Sequence, residues 1–123
     1  MMMNYNETEE FKHDIKKLLK KFSSLREDLE VNKQYRIELF HCKDINSNGI
    51  FEIEGVGNTN DLRFFKIKKF QCKSLKGKGA RSGIRVIYAY LPINQTVVFL
   101  EIYFKSDQEK EKRERISDFI KNK

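Results

Sequence analysis

The sequence predicts an α+β fold, and three observations carry the prediction. A helical period of apolar residues runs through the N-terminal third. Two runs rich in β-branched and aromatic residues follow Gly83, and turn-forming clusters lie between. The expected arrangement is an N-terminal helical hairpin packed on a small twisted, mainly antiparallel sheet of three to five strands, plus a short C-terminal helix. At 123 residues the chain reads as a single domain with a modest core.

Residues 1–7 precede the first periodic segment and are expected to be flexible. Phe11, Ile15, Leu18 and Phe22 then recur at four- and three-residue steps with lysines on the other face, which predicts an amphipathic helix. Thr8 is its expected N-cap, and Glu9 and Glu10 suit its first turn. Ser24-Leu25-Arg26-Glu27 reads as a capping box that restarts a helix after a bend near Ser23. Leu25, Leu29, Ile37 and Phe40 extend that second helix over 25–41.

Asn46-Ser47-Asn48-Gly49 and Asn58-Thr59-Asn60-Asp61 are turn clusters, and 50–56 between them reads as a short edge strand. Phe65-Lys66-Ile67-Lys68 alternates as a half-buried strand does. Ile84–Leu91 and Thr96–Phe104 carry the strongest strand signals, joined by a link short enough for a hairpin, Pro92-Ile93-Asn94-Gln95. Alternation puts Val86, Tyr88 and Tyr90 opposite Arg85, Ile87 and Ala89. It likewise puts Val98, Leu100, Ile102 and Phe104 opposite Glu101, Tyr103 and Lys105. A second capping box, Ser106-Asp107-Gln108-Glu109, predicts a final helix over 108–121. Its apolar residues are only Ile116, Phe119 and Ile120, so 108–123 is expected to be weakly anchored.

The charge is unevenly placed. Residues 62–100 hold Arg63, Lys66, Lys68, Lys69, Lys73, Lys76, Lys78, Arg81 and Arg85 and no Asp or Glu, so the formal charge of +7 belongs to this block. Cations interleaved with Phe64, Phe65, Phe70, Tyr88 and Tyr90 suit a phosphodiester backbone; a solvated basic surface is the alternative. No run of about 18 apolar residues occurs, so no bilayer span is expected. The N-terminus lacks a basic start followed by an apolar stretch, and Cys42 and Cys72 lack CxxC spacing. Both point to a cytoplasmic protein with reduced thiols.

Sites of recognisable chemistry are few. Asp44-Ile45-Asn46-Ser47-Asn48-Gly49 matches half of an EF-hand loop, but Gly55 stands where the bidentate carboxylate belongs, so a polar turn is the better reading. Gly77-Lys78-Gly79-Ala80-Arg81-Ser82-Gly83 lacks Walker spacing. It reads either as a flexible hairpin loop or as a loop whose backbone approaches a phosphate. His13 and His41, the only histidines, fall on separate predicted helices, and no metal-ligand cluster is evident.

Three stretches together resemble the RelE/ParE superfamily of type II toxins. They are Phe65-Lys66-Ile67-Lys68-Lys69-Phe70, then Lys73-Ser74-Leu75-Lys76-Gly77-Lys78-Gly79 with Arg81-Ser82-Gly83-Ile84-Arg85-Val86-Ile87-Tyr88, and Glu101-Ile102-Tyr103-Phe104-Lys105-Ser106-Asp107. The segment from Lys69 to Gly77 is most similar to a HigB/RelE-like subgroup. The opening, with Phe11-Lys12-His13-Asp14-Ile15-Lys16-Lys17-Leu18 and Ser24-Leu25-Arg26-Glu27-Asp28-Leu29, is similar to that family's helical hairpin. The resemblance spans 11–120 and is poor over 31–60.

The resemblance implies ribosome-dependent mRNA cleavage by metal-free attack of a ribose 2′-hydroxyl on the next phosphate, without a cofactor. It implies a cognate antitoxin and mRNA on the ribosome as partners, and no membrane. Of the catalytic residues this implies, Lys66 and Lys68 match the family's basic strand positions and Arg85 its central arginine, while Tyr103 and Lys105 end the last strand, where the family often places an acid/base or phosphate-binding group. Crowded lysines would act as base and arginines would hold the phosphate. Lys73, Lys76, Lys78 and Arg81 would bind the RNA backbone. Two departures qualify the transfer. No histidine follows the last strand, as the Glu–His branch requires, and the superfamily also includes DNA gyrase inhibitors. A non-catalytic toxin or binding module on the same fold, such as a ParE-like gyrase inhibitor or an RNA-binding protein, is therefore the alternative; structurally, Arg85 could simply pair with Glu101 across the sheet and Tyr103 could simply be core.

Overall fold

The computed structural model describes residues 3–45, 49–75, 77 and 81–122. Strand β1 (Asn4–Glu7) leads into α1 (Glu9–Leu19). Then α2 (Leu25–Asn32), a π-helical turn (Lys33–Ile37) and α3 (Glu38–Lys43) run on without a break. β2 (Ile50–Glu52), β3 (Arg63–Ile67), β4 (Ile84–Leu91), β5 (Thr96–Phe104) and α4 (Arg113–Lys121) follow. The strands form one sheet in the order β1-β5-β4-β3-β2. β1 runs parallel to β5 and the other pairings are antiparallel, so the sheet is mixed.

Each face of the sheet has its own core. Phe65, Ile67, Val86, Tyr88, Phe99 and Ile102 pack against Phe11, Ile15, Leu25, Leu29 and Ile37 of the N-terminal helices. On the opposite face, Phe64, Ile87, Ala89, Leu100 and Tyr103 pack under Ile53, Leu62, Ile116 and Phe119.

Helix α1 forms where its apolar period places it, and the Thr8 hydroxyl accepts a hydrogen bond from Phe11 N at 3.1 Å. The second helix is less regular than a single span over 25–41. Asn32 and Ile37 are both buried although five residues apart, and a five-residue step is what a π turn accommodates. Ser24 does not cap this helix. Its hydroxyl donates to Asp28 Oδ2 at 2.6 Å and accepts from Ser74 N at 2.9 Å, pinning the helix to the 72–74 segment instead.

Four other expectations are corrected. Residues 4–7 form a strand despite weak β-propensity. Tyr5 stacks on Phe99 (centroids 6.0 Å apart) and donates to Glu38 Oε2 at 2.7 Å, while Arg26 holds Glu7 through two contacts of 2.5 and 3.0 Å. The edge strand is only Ile50–Glu52: Ile53 N still bonds Phe64 O at 2.9 Å, but the chain turns at Glu54 and Gly55, where Gly55 has φ +74°. The alternation along β5 breaks. Glu101 pairs with Ile87 but Phe99 pairs with Tyr88, so Leu100 is an extra residue and a β-bulge. Val98 and Leu100 therefore share a face with Tyr103, while Ile102 and Phe104 lie with Phe99.

The last helix begins at Arg113 rather than near Gln108, and polar contacts anchor the C-terminal segment more firmly than its three apolar residues would. The buried Glu101 accepts from Gln108 Nε2 at 2.6 Å and from Lys112 N at 2.9 Å, which keeps 108–112 out of a helix. Arg115 grips Asp14 through contacts of 2.5 and 3.1 Å, and Phe119 packs edge-on to Phe64.

Candidate functional site

At one end of the sheet, the end of β3, the start of β4 and the end of β5 meet beside β2. They enclose a cleft of about 700 Å³. Lys68, Lys69, Arg81, Arg85 and Lys105 line it, with Phe51, Leu75 and Phe104 as apolar walls and Ser82, Gly83 and Ser106 between; no carboxylate lines it among the described residues. Five cations in one concave, half-apolar space focus positive potential where a single surface lysine would be screened.

Local structure holds the cations in place. Arg85 donates through Nη1 to the Lys68 carbonyl at 2.9 Å, which ties β4 to the end of β3. Lys68 N bonds Gly49 O at 2.8 Å, fixing the turn from which its side chain rises. Ser82 is buried; its hydroxyl donates to Phe70 O at 2.5 Å and accepts from Ile84 N at 3.1 Å. Gly83 has φ +84°, and its carbonyl accepts from Lys105 N at 2.8 Å. A Cβ there would lie 3.2 Å from the Phe104 ring, so both backbone and packing demand glycine. The Arg81-Ser82-Gly83 end of the loop is thus a built corner. Lys76, Lys78, Gly79 and Ala80, like Asn46, Ser47 and Asn48 of the half EF-hand match, lie outside the described residues.

The structure separates the other candidates from this group. Lys66 points into an adjoining hollow of about 290 Å³, which shares Phe51 and Lys68 with the cleft. Its ammonium lies 2.5 Å from Glu111 Oε1, and their side chains are 17% and 7% exposed. Burial pulls the ammonium's pKa down, but Glu111 and Tyr103 outweigh it and hold Lys66 above the ordinary lysine value. Its nearest polar partners are thus a carboxylate and a phenol, although Lys68 and Arg113 line the same hollow. Tyr103 is buried, and burial raises its phenol despite the nearby Lys66. Arg85 does not pair with Glu101, whose partners are Gln108 and Lys112. Lys73 is exposed, bonds Glu27 at 2.8 Å and is not among the cleft residues.

His13 and His41 do not share a site. His13 is exposed on α1. His41 stacks on Tyr90 with centroids 3.8 Å apart and bonds the Tyr88 hydroxyl at 2.8 Å; burial first, and Arg63 second, lower its pKa to about 4. Both cysteines are free thiols, and among the described residues no group of three or more His, Cys, Asp or Glu could hold a metal ion. No helix among them is long and apolar enough to cross a membrane.

Sequence reasoning missed Lys69, Phe51 and Glu111. Lys69 was visible in the charge block. Phe51 falls in the stretch where the resemblance is poor, and nothing local ties Glu111 to Lys66, 45 positions away.

No family model and no curated protein matches the chain. Among solved structures it is similar to a chain of the crystal structure of the archaeal RelE-RelB complex from Pyrococcus horikoshii OT3. The identity is 15% and the TM-score 0.51, over 85% of this chain and 97% of that one. At this identity the likeness is one of fold: an α+β, RelE-like arrangement.

Proposed function

We propose that this chain is the toxin of a type II toxin–antitoxin pair and that it cleaves mRNA on the ribosome, as the RelE/ParE resemblance implies. The observation that carries the reading is the cleft that Lys68, Lys69, Arg81, Arg85 and Lys105 line, without a carboxylate among the described residues. The partner antitoxin is inferred from the fold shared with a RelE-RelB complex. The HigB/RelE-like subgroup rests on the motif between Lys69 and Gly77 alone.

In this reading a ribose 2′-hydroxyl gives up its proton to solvent water as its oxygen attacks the adjacent phosphorus, the bond to the 5′-oxygen breaks, that oxygen takes up a proton, and a cyclic phosphate and a 5′-hydroxyl remain. Arg85, fixed by the Lys68 carbonyl, presents its remaining N–H groups to the phosphoryl oxygens. Lys68, Arg81 and Lys105 share the charge that builds up there, and an ammonium among them can pass a proton to the departing oxygen. Lys66, held by Glu111 and close to Tyr103, lies in the hollow beside this group.

A second reading has one observation in its favour: neither Lys66 nor Tyr103 has the lowered pKa of a base. A toxin that binds its target without cutting it, such as a gyrase inhibitor, needs only the basic cleft. Induced expression with mapping of mRNA 5′ ends separates the two. Cleavage predicts translation arrest with new 5′ ends inside reading frames, both lost in Arg85→Ala by a factor of about 10²–10³ while the protein stays folded. Arrest without new ends, or arrest unchanged in folded Arg85→Ala, overturns the nuclease assignment.

A further inference from the structure

Phe51 is a large aromatic side chain left 44% exposed on the edge strand β2. Such exposure is ordinary for one residue taken alone. Its position is not ordinary, because the ring forms a wall of both the basic cleft and the hollow that holds Lys66 and Glu111. The Lys68 ammonium sits over the ring at 4.9 Å, so one face is already covered by a cation that also lines the cleft. The cleft beside it joins five cations to apolar walls. A ligand matching both must carry regularly spaced negative charge and flat, unpaired aromatic faces. That combination describes single-stranded nucleic acid; the bases of a duplex are stacked on each other and offer no free face.

We propose that Phe51 is a positioning residue of the cleft: a nucleobase of a single-stranded RNA stacks on its ring while the neighbouring phosphates lie against Arg85 and Lys68. This deepens the RNA-cleavage reading and rests on it. Lys68 then serves twice, as a phosphate ligand and as the group that orients the ring. The stack fixes which internucleotide bond faces Arg85, so Phe51 controls register along the strand rather than the chemistry itself.

The test measures binding of the purified protein to a short single-stranded RNA and to the same RNA as a duplex, at one salt concentration. Variants Phe51→Ala, Phe51→Trp and Arg85→Ala are compared with the unaltered chain. Stacking predicts that Phe51→Ala weakens single-strand binding roughly five- to 150-fold, and that Phe51→Trp retains it with quenching of the new indole fluorescence. Duplex binding should be the same in Phe51→Ala as in the unaltered chain. Because Phe51 is half in solvent on an edge strand, the alanine variant should fold, and the tryptophan variant checks the site if it does not.

Equal loss of single-strand and duplex binding in Phe51→Ala would make Phe51 a support for the cleft and overturn the proposal. So would unchanged single-strand binding, or a tryptophan whose fluorescence ignores added RNA. If Arg85→Ala still loses RNA in those cases, the basic-cleft reading survives without Phe51. If the unaltered chain binds neither RNA, both fall together.

Discussion

Lys66 and Lys68 stand two positions apart on the same side of β3 and its extension, yet their ammonium groups meet opposite surroundings. Lys68 lies over the Phe51 ring between the cation-lined cleft and the hollow, while Lys66 is 2.5 Å from the Glu111 carboxylate. Glu111→Gln should therefore destabilise the protein by about 2–3 kcal/mol, since it leaves a half-buried ammonium without its counter-charge. Chemical denaturation checks this. Loss under 0.5 kcal/mol would show the pair to be only a surface contact.

His41 gives a pH dependence. Its pKa falls from 6.5 when unfolded to about 4 when folded, so between these values the unfolded chain binds the extra proton. Stability from this group is complete above about pH 6.5 and drains away as the pH falls toward 4, by roughly 2–3 kcal/mol. His41→Gln keeps a partner for Tyr88 but has no proton to gain. Its urea midpoint should change less than the unaltered chain's between pH 6.5 and 4.5; parallel curves would sink the assignment.

Among the elements, the β5 bulge and the C-terminal segment depend on one another. The extra residue at Leu100 brings Glu101 onto the face where 108–112 passes, and Gln108 and Lys112 satisfy the buried carboxylate. Farther along, Arg115 reaches across to Asp14 on α1 and to the Leu100 carbonyl at 3.1 Å. Helix α4 is thus bolted to both β5 and α1. In hydrogen exchange, amides of Arg113–Lys121 should be protected in the free protein. Arg115→Ala should expose them selectively while Ile84–Leu91 and Thr96–Phe104 stay slow. Fast exchange of α4 in the unaltered chain would instead favour a detachable helix. At the corner of the cleft, Gly83→Ala should cost about 1–3 kcal/mol through its positive φ and the Phe104 contact, which a thermal melt would register.

For the molecule as a whole, charge is concentrated where the sheet opens. Among the described residues five cations line the cleft, which would neutralise about five phosphates. The salt dependence of single-stranded RNA binding should then have a log–log slope no steeper than about −3.5. A steeper slope would mean that surface lysines of α1 or the loop after Leu75 join the interface.

Some of this was legible in the residues themselves. The apolar period of α1, its Thr8 cap, the two long strands and the one-signed block are local properties, because each depends on neighbours a few positions away. The convergence of Lys68, Arg81, Arg85 and Lys105 followed in part from strand alternation near the sheet's end. Other features depend on contacts between residues far apart in the chain, which no local pattern encodes. Residues 4–7 become a strand because Tyr5 finds Phe99 and Glu38. Lys66 is bound to Glu111 because the 108–112 segment folds back over the sheet, and β5 shifts its faces because a single bulged residue changes which side every later side chain takes. Composition and spacing determined that this protein would carry a basic face on an α+β frame. Which cations remain free for an anion was decided by tertiary structure, since a charge is free or paired according to what the fold brings within a few ångströms of it.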